Sequence, residues 1–405
     1  SSYVELGPAS QDGTRVISGT PSGGIFAWGA QLNIGSTAKP YFPTTDRLNV
    51  PRLTYQNGGG GCPSLLLEKQ STNTFFYSEQ FDNAYWVKEY VTISTNATTS
   101  PDGTQNAEKI QEDTSNASHV VGNNDVFAGG GQSVTFSIFL KASERSWAAL
   151  RLYDGSGSKF AWYNLSTGVL GSVDSGVTAS IQNYGNGWFR CIMTITMSSV
   201  SITLPYVFLA TGNNVKDYTG TSGYGLFVWG AQHEASSYAT SYIPTTSASA
   251  TRVADACFKT GISSLIGQTE GTLFFELQRN DTDNDTRLQI SDGSGINWLF
   301  VSIETGLNPR AYCNVGGVNQ FSVYGSAVSN STHKVALAYK SNDFKVYIDG
   351  VAVITQTSGS VPACNQIDVG SSGPSGSVVS TSIIKEVALF KTRLTNAELA
   401  SLTTI

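Results

Sequence analysis

Charged side chains are scarce in this 405-residue chain, at 13%, about half the share of an ordinary soluble domain. No run of basic residues occurs and the net charge is −6. A nucleic-acid groove, which needs clustered Lys and Arg, therefore has no support. No apolar stretch approaches the ~18 residues of a spanning helix, so membrane insertion is not expected. Heptad and collagen-like repeats are missing too, so any oligomer has to form through folded faces. The five cysteines, Cys62, Cys191, Cys257, Cys313 and Cys364, are widely spaced and form no C-x-x-C pair. That spacing excludes a zinc ribbon and argues against a disulfide framework. Free thiols are expected, with Cys191 buried in the apolar run FRCIMTI.

What the chain does contain is β-forming sequence broken by turns. Hydrophobic residues make up 40%, enough to exclude wholesale disorder, and 42 glycines point to short strands joined by tight connections. Residues 24–45 (GIFAWGAQLNIGSTAKPYFPTT) return at 225–246 as GLFVWGAQHEASSYATSYIPTT, with roughly half the positions identical. The second copy closes a long strand-rich segment, whereas the first has only the end of such a unit before it. Residues 1–50 thus read as the C-terminal portion of a partial jelly-roll repeat. A strand or two cannot cover its own apolar face. Completion could come from sequence before Ser1, from another chain, or by packing on the next domain. The first is favoured, because Phe26 and Trp28 would otherwise sit on an open edge.

Residues 51–71 form a connector with four consecutive glycines, Gly58 to Gly61, which allow a bend that β-branched residues would resist. The Leu65-Leu66-Leu67 run after them should dock on a neighbouring surface. Residues 72–250 carry successive short strands, among them SVTFSIFLKA, WAALRLYD, FAWYNLS and WFRCIMTITM, in the pattern of a complete jelly roll. Residues 251–405 read as a second sandwich. There Asp349-Gly350 predicts a tight hairpin turn, and Thr395-Asn396-Ala397-Glu398 is a capping box for one short C-terminal helix. The fold class is therefore all-β: tandem antiparallel β-sandwiches, the first read as a jelly roll, with one short C-terminal helix.

Strand alternation selects candidate binding residues. Trp147, Arg151 and Tyr153 have even separations and share a face if their strand is unbroken. Trp162 and Tyr163 are neighbours, so one faces the core and the other faces out. Exposed aromatic rings stack on the apolar faces of sugars while polar side chains bond the hydroxyls. These five residues are the candidate glycan-binding set. For each ring the competing reading is packing in the sandwich interior. Trp86, Trp188 and Trp229 read as core, and Trp298 and Tyr324 are further aromatics to test for exposure.

Asp281, Asp283, Asp285 and Asp292 stand at the acidic offsets of an EF-hand loop, but Thr286 replaces the required Gly. Asp281, Asp283 and Asp285 remain candidates for a structural Ca²⁺ on a sandwich loop, as does Asp102 in SPDGT. For these the competing readings are a solvated hairpin tip and a plain Pro-Asp-Gly turn. No cofactor is required by the pattern. The three histidines, His119, His233 and His333, lie far apart without a nucleophile motif. No E-x-D-x-x-E string occurs; Glu270 and Glu276 flank GTLFF with no acid between them. A carboxylate pair such as Glu276 with Glu386 would have to be assembled from distant strands. The chain is read as non-enzymatic.

The order PRLTY…GGGGCPSLLLEKQSTN…YSEQFDNAYWVK…NATTSPDGTQNAEKI…WGAQ…SYIPTT…TRVAD resembles bacteriophage and prophage tail-fibre or adhesin proteins, in which a jelly roll similar to carbohydrate-binding modules follows such a connector. The stretch EGTLFFEL…HKVALAYKSNDFKVYIDG…IIKEVALFKTRLTNAELASLTTI resembles laminin-G or concanavalin-like domains. The resemblance implies a virion-surface protein, assembled in the bacterial cytoplasm, that contacts bacterial surface polysaccharide and other virion proteins, as a homotrimer. It departs from the family at the N-terminus, where a virion-anchoring region is usual. Two alternatives stand beside it: a purely structural fibre or decoration protein, and an accessory glycan-binding part of a secreted polysaccharide-degrading enzyme.

Overall fold

The computed structural model describes residues 52–54, 64–279, 285–370 and 381–405. The chain divides into two compact units, Ser1–Arg52 and Leu53–Ile405, and the description below concerns the second. The first copy of the repeat, Gly58 to Gly61, Cys62, Asp281 and Asp283 lie outside the described residues.

The jelly roll is built from two six-stranded antiparallel sheets. One runs Val177–Gly185, Trp188–Thr196, Ser133–Ala142, Gly225–Glu234, Ala107–Glu112 and Val91–Thr98; the other runs Val169–Val173, Ser158–Asn164, Trp147–Tyr153, Tyr206–Ala210, Val120–Gly122 and Val87–Glu89. Alternate residues of each strand fill the space between them. Phe136, Ile138 and Leu140 meet Ala148, Leu150 and Leu152, with Cys191, Met193 and Ile195 alongside. At about 25 cal/mol per Å² of apolar area removed from water, these rings and branched chains are the main stabilising contribution.

The second sandwich repeats the plan. Its larger sheet contains, in order, Ser64–Leu67, Ser382–Phe390, Glu270–Arg279, Thr332–Lys340, Asp343–Ile348 and Val351–Gln356. Its six-stranded partner runs Phe258–Lys259, Gln366–Val369, Thr286–Ser291, Trp298–Ile303, Pro309–Val315 and Val318–Tyr324. Leu273, Phe275 and Leu277 pack against Leu288, Ile290, Leu299 and Val301 in the core. Asp349 and Gly350 have φ of 51° and 82°, as a two-residue primed turn requires. Thr395 caps the helix Asn396–Thr403 with both bonds of a capping box. Cys191, Cys257, Cys313 and Cys364 are free thiols, and burial pushes Cys313 and Cys364 up to about 12.

The residues expected to form a connector do more than dock. Leu65, Leu66 and Leu67 pair in register with Ile384, Ile383 and Ser382, and Leu67 enters the second core. This sandwich therefore begins before the jelly roll and resumes after it, so the jelly roll is an insertion. The chain enters and leaves the insertion through one antiparallel pair, Ser71–Asn73 with Ala250–Arg252. Asn73 fixes this neck. Its Nδ2 donates to the carbonyls of Ala231 (3.0 Å) and Ile243 (2.8 Å), and its Oδ1 accepts from Phe75 N and His233 N. A fully bonded buried amide of this kind holds one register, because any slip would leave its groups unpaired.

Candidate functional site

Strand pairing assembles a polar–aromatic surface on the outer face of the second jelly-roll sheet. Arg151 lies in register with Phe160 on one side and Tyr206 on the other; Ala149 lies between Trp162 and Phe208, and Trp147 between Asn164 and Ala210. Residues directly opposite across an antiparallel pair share a face, so these side chains all project away from the core. Trp147, Arg151, Tyr153 and Phe160 are half-buried. Trp162, Tyr206 and Phe208 form a floor beneath them, each 5% exposed.

Small residues make room for this floor. A Cβ on Gly122 would lie 2.2 Å from Cγ of Tyr206, and one on Gly171 would lie 2.8 Å from the Trp147 ring. The Tyr206 hydroxyl donates to Asn124 Oδ1 at 2.7 Å, and Phe160 meets Phe208 edge-on at 5.5 Å. The Arg151 guanidinium sits 4.1 Å from the centroid of Tyr206 and 5.7 Å from that of Phe208. Its Nε donates a long 3.4 Å bond to the Leu204 carbonyl. Burial draws its pKa down while Tyr206 and Glu89 oppose that shift; an arginine remains a cation throughout. Lys216 places Nζ 5.7 Å from the Phe208 ring and pairs with Asp217 at 2.6 Å.

Of the five residues selected from sequence, Trp147, Arg151 and Tyr153 fall on this face together, and Trp162 lies in its floor. Tyr163 requires correction. It is completely buried in the jelly-roll core and its hydroxyl donates to the Ile192 carbonyl at 2.7 Å. The ring fills space between the sheets, so it is out of reach of any ligand. Alternation along FAWYNLS also points to Phe160, two residues from Trp162. Tyr206 and Phe208 carried no signal, because YVFLA is apolar throughout and buried at every position.

A second surface of similar character was not legible beyond Trp298 and Tyr324. On the six-stranded sheet of the other sandwich, Phe300 and Tyr312 stack at 5.2 Å with an 8° interplanar angle, and Trp298 lies 5.0 Å from Tyr312. Arg287 sits 3.8 Å over Phe300, and Arg310 about equally over Tyr312 (5.1 Å) and Tyr324 (5.2 Å). Both arginines have carboxylate partners, Asp285 at 3.7 Å and Glu304 at 3.1 Å. The buried polar atoms Trp298 Nε1, Gln289 Oε1 and Asn314 Oδ1 have no hydrogen-bond partner among the described residues, an arrangement that costs free energy while it persists.

Of the calcium candidates, Asp102 and Asp285 are among the described residues. Burial tends to raise the Asp102 carboxyl, but bonds from Ser100 Oγ (2.5 Å), Thr104 N (2.8 Å) and Thr104 Oγ1 (2.7 Å) hold it below its usual range. All three bonds fall on one oxygen and close its own turn. Asp285 accepts from Thr305 N and faces Arg287. Among the described residues no three His, Cys, Asp or Glu side chains converge as a metal site would require.

The groups weighed for catalysis are also placed. Glu276 and Glu386 are in register on neighbouring strands, and Lys385 pairs with Glu276 at 3.1 Å. His333 has Asp349 Oδ2 2.6 Å from Nδ1 and the Ser329 carbonyl 2.7 Å from Nε2. Both ring nitrogens are thus engaged, and Ser331 Oγ lies farther from Nε2, at 3.4 Å.

Residues 255–400 match the family model described as the Concanavalin A-like lectin/glucanases superfamily. A comparison with curated proteins found no match. Among solved structures, the chain is similar to the CBM40 module of the Ruminococcus gnavus IT-sialidase, solved with α2,3-sialyllactose bound. That likeness has 14% identity and a TM-score of 0.31, covering 36% of this chain and 98% of that one. Domains LG4-5 of the mouse laminin α1 chain match with 10% identity and a TM-score of 0.25, over 68% of this chain and 86% of that one. The Trypanosoma rangeli sialidase, solved with the inhibitor DANA, matches with 10% identity and a TM-score of 0.27, over 73% and 66%.

Proposed function

We propose that this chain is a non-enzymatic saccharide-recognition protein, a fibre or adhesin on a bacteriophage virion that contacts bacterial surface polysaccharide and assembles as a homotrimer. One observation carries the recognition reading. Trp147, Arg151 and Tyr153 line one accessible sheet face over an aromatic floor. Rings that can stack on a pyranose beside a donor-rich head group are what sugar recognition needs. The virion assignment rests on the order of sequence motifs along the chain, and the lectin-type match over 255–400 supports the saccharide class. Affinity per site is expected to be weak, with trimeric presentation supplying avidity. The unpartnered Trp298, Gln289 and Asn314 atoms favour a second saccharide-contacting surface on the other sandwich.

The test is binding of the purified chain to polysaccharide extracted from candidate host cells, with Trp147→Ala and Tyr153→Ala beside wild type. Saturable binding that weakens about tenfold or more in Trp147→Ala, with unchanged circular dichroism, supports the reading. Absence of binding by folded, correctly assembled protein across host capsules contradicts it and favours a purely structural fibre. A mass measurement showing a monomer at micromolar concentration contradicts the trimer.

A further inference from the structure

We propose that the saccharide held by the jelly-roll face is acidic, and that its carboxylate pairs with Arg151. This inference rests on the recognition reading above and adds the ligand's chemical class. A guanidinium has five N–H donors and no acceptor, and in folded proteins a half-buried one normally meets a carboxylate. Most of the other described arginines behave that way, and Arg279, 4% exposed, donates to the Glu304 carbonyl out of reach of a ligand. Arg145 pairs with Glu112, Arg252 with Glu68, Arg287 with Asp285, Arg310 with Glu304 and Arg393 with Asp343. Arg190 forms no ion pair among the described residues, but it is 3% exposed, enclosed against the Phe139 ring and bonded to Ser137 Oγ, beyond reach of a ligand.

Arg151 differs from all of these. It is accessible, it forms no ion pair among the described residues, and its partners there are the Leu204 carbonyl, at a long 3.4 Å, and the uncharged Tyr206 side chain. The guanidinium carbon sits 4.1 Å from the Tyr206 centroid, and of the five donors those not used by Leu204 and Tyr206 remain for a carboxylate. Phe160 and Tyr206 flank it in register, so an anion there would be partly shielded from water, where a charge-assisted pair is strongest. Two other cationic or anionic groups matter on this face. Lys216 is already neutralised by Asp217, whereas Glu89 acts on both Arg151 and Tyr206 and would repel an incoming carboxylate. The face is thus built to take a carboxylate at Arg151 while limiting its affinity through Glu89.

The experiment uses the polysaccharide bound by wild type, before and after reduction of its carboxyl groups to hydroxyls by carbodiimide and borohydride. Wild type should bind the reduced polymer 10- to 100-fold more weakly, the range of a charge-assisted pair. Arg151→Gln should bind the native polymer about as weakly as wild type binds the reduced one, and should be insensitive to reduction. Arg151→Lys should fall between, having charge without the fork geometry. Glu89→Gln should strengthen binding to the native polymer severalfold and leave the reduced polymer unaffected. Equal wild-type binding before and after reduction overturns the inference and leaves saccharide recognition standing. Binding to neither polymer by folded protein overturns recognition and this inference together.

Discussion

Replacing His233 by Gln should change how the stability of the jelly roll responds to acid. His233 is 2% exposed at the end of the strand Gly225–Glu234. Its Nδ1 lies 2.8 Å from Thr74 Oγ1 and its Nε2 3.1 Å from Thr203 Oγ1, with the Phe75 ring 5.7 Å away. Burial pushes the imidazole down to about 3. The unfolded chain takes up this proton near the ordinary value of about 6.5, whereas the native state stays neutral until far lower pH. The folded pKa is the depressed one, so the stability it represents is present above about pH 6.5 and is lost as pH falls toward 3. Between pH 7.5 and 4.5 the loss from this group is about 3 kcal/mol. Gln has donor and acceptor for the two threonines but does not titrate. Urea unfolding followed by tryptophan fluorescence at the two pH values should therefore show wild type losing about 3 kcal/mol more than the variant. Other acids, including Glu108, which burial raises to about 7, titrate alike in both proteins and cancel. An identical pH response in the two proteins would refute the argument.

Three further substitutions separate scaffold from site. Tyr163→Phe removes the buried bond to the Ile192 carbonyl and should cost about 1 kcal/mol in urea unfolding, with polysaccharide binding unchanged. Gly122→Val places carbon where the Tyr206 ring lies. It should cost about 1–3 kcal/mol and weaken binding, because Arg151 loses its support; wild-type affinity in a folded variant would show that the Tyr206 platform is dispensable. Thr395→Ala deletes the cap of the last helix and should lower stability by about 1 kcal/mol without touching binding.

Sequence alternation located the outward set Trp147, Arg151 and Tyr153 because Ala148, Leu150 and Leu152 between them are all small or apolar, although Ala149 also faces outward. The same rule put Trp162 and Tyr163 on opposite faces without saying which was inward, since both are large aromatics. Tyr163 went inward because its hydroxyl finds the Ile192 carbonyl across the core. Local chemistry was legible where it closes within a few residues, as in the Asp349-Gly350 turn and the Thr395–Glu398 cap. The insertion was not legible, because the pairing of Leu65 with Ile384 joins opposite ends of the described chain and leaves no local pattern. Phe208 and Arg287 escaped for a related reason. Their roles come from neighbours on other strands: YVFLA contains no polar alternation to mark an outer face, and TRLQIS, although it alternates, does not show that Arg287 meets Phe300 of the next strand.

The most direct test of the account follows the indole N–H signals of the tryptophans by NMR while an oligosaccharide fragment of the bound polysaccharide is titrated in. Trp147 should shift saturably, while Trp86 and Trp188, buried in the jelly roll, should not. Movement confined to Trp298, or no movement at all at concentrations that saturate binding, would contradict recognition at the jelly-roll face.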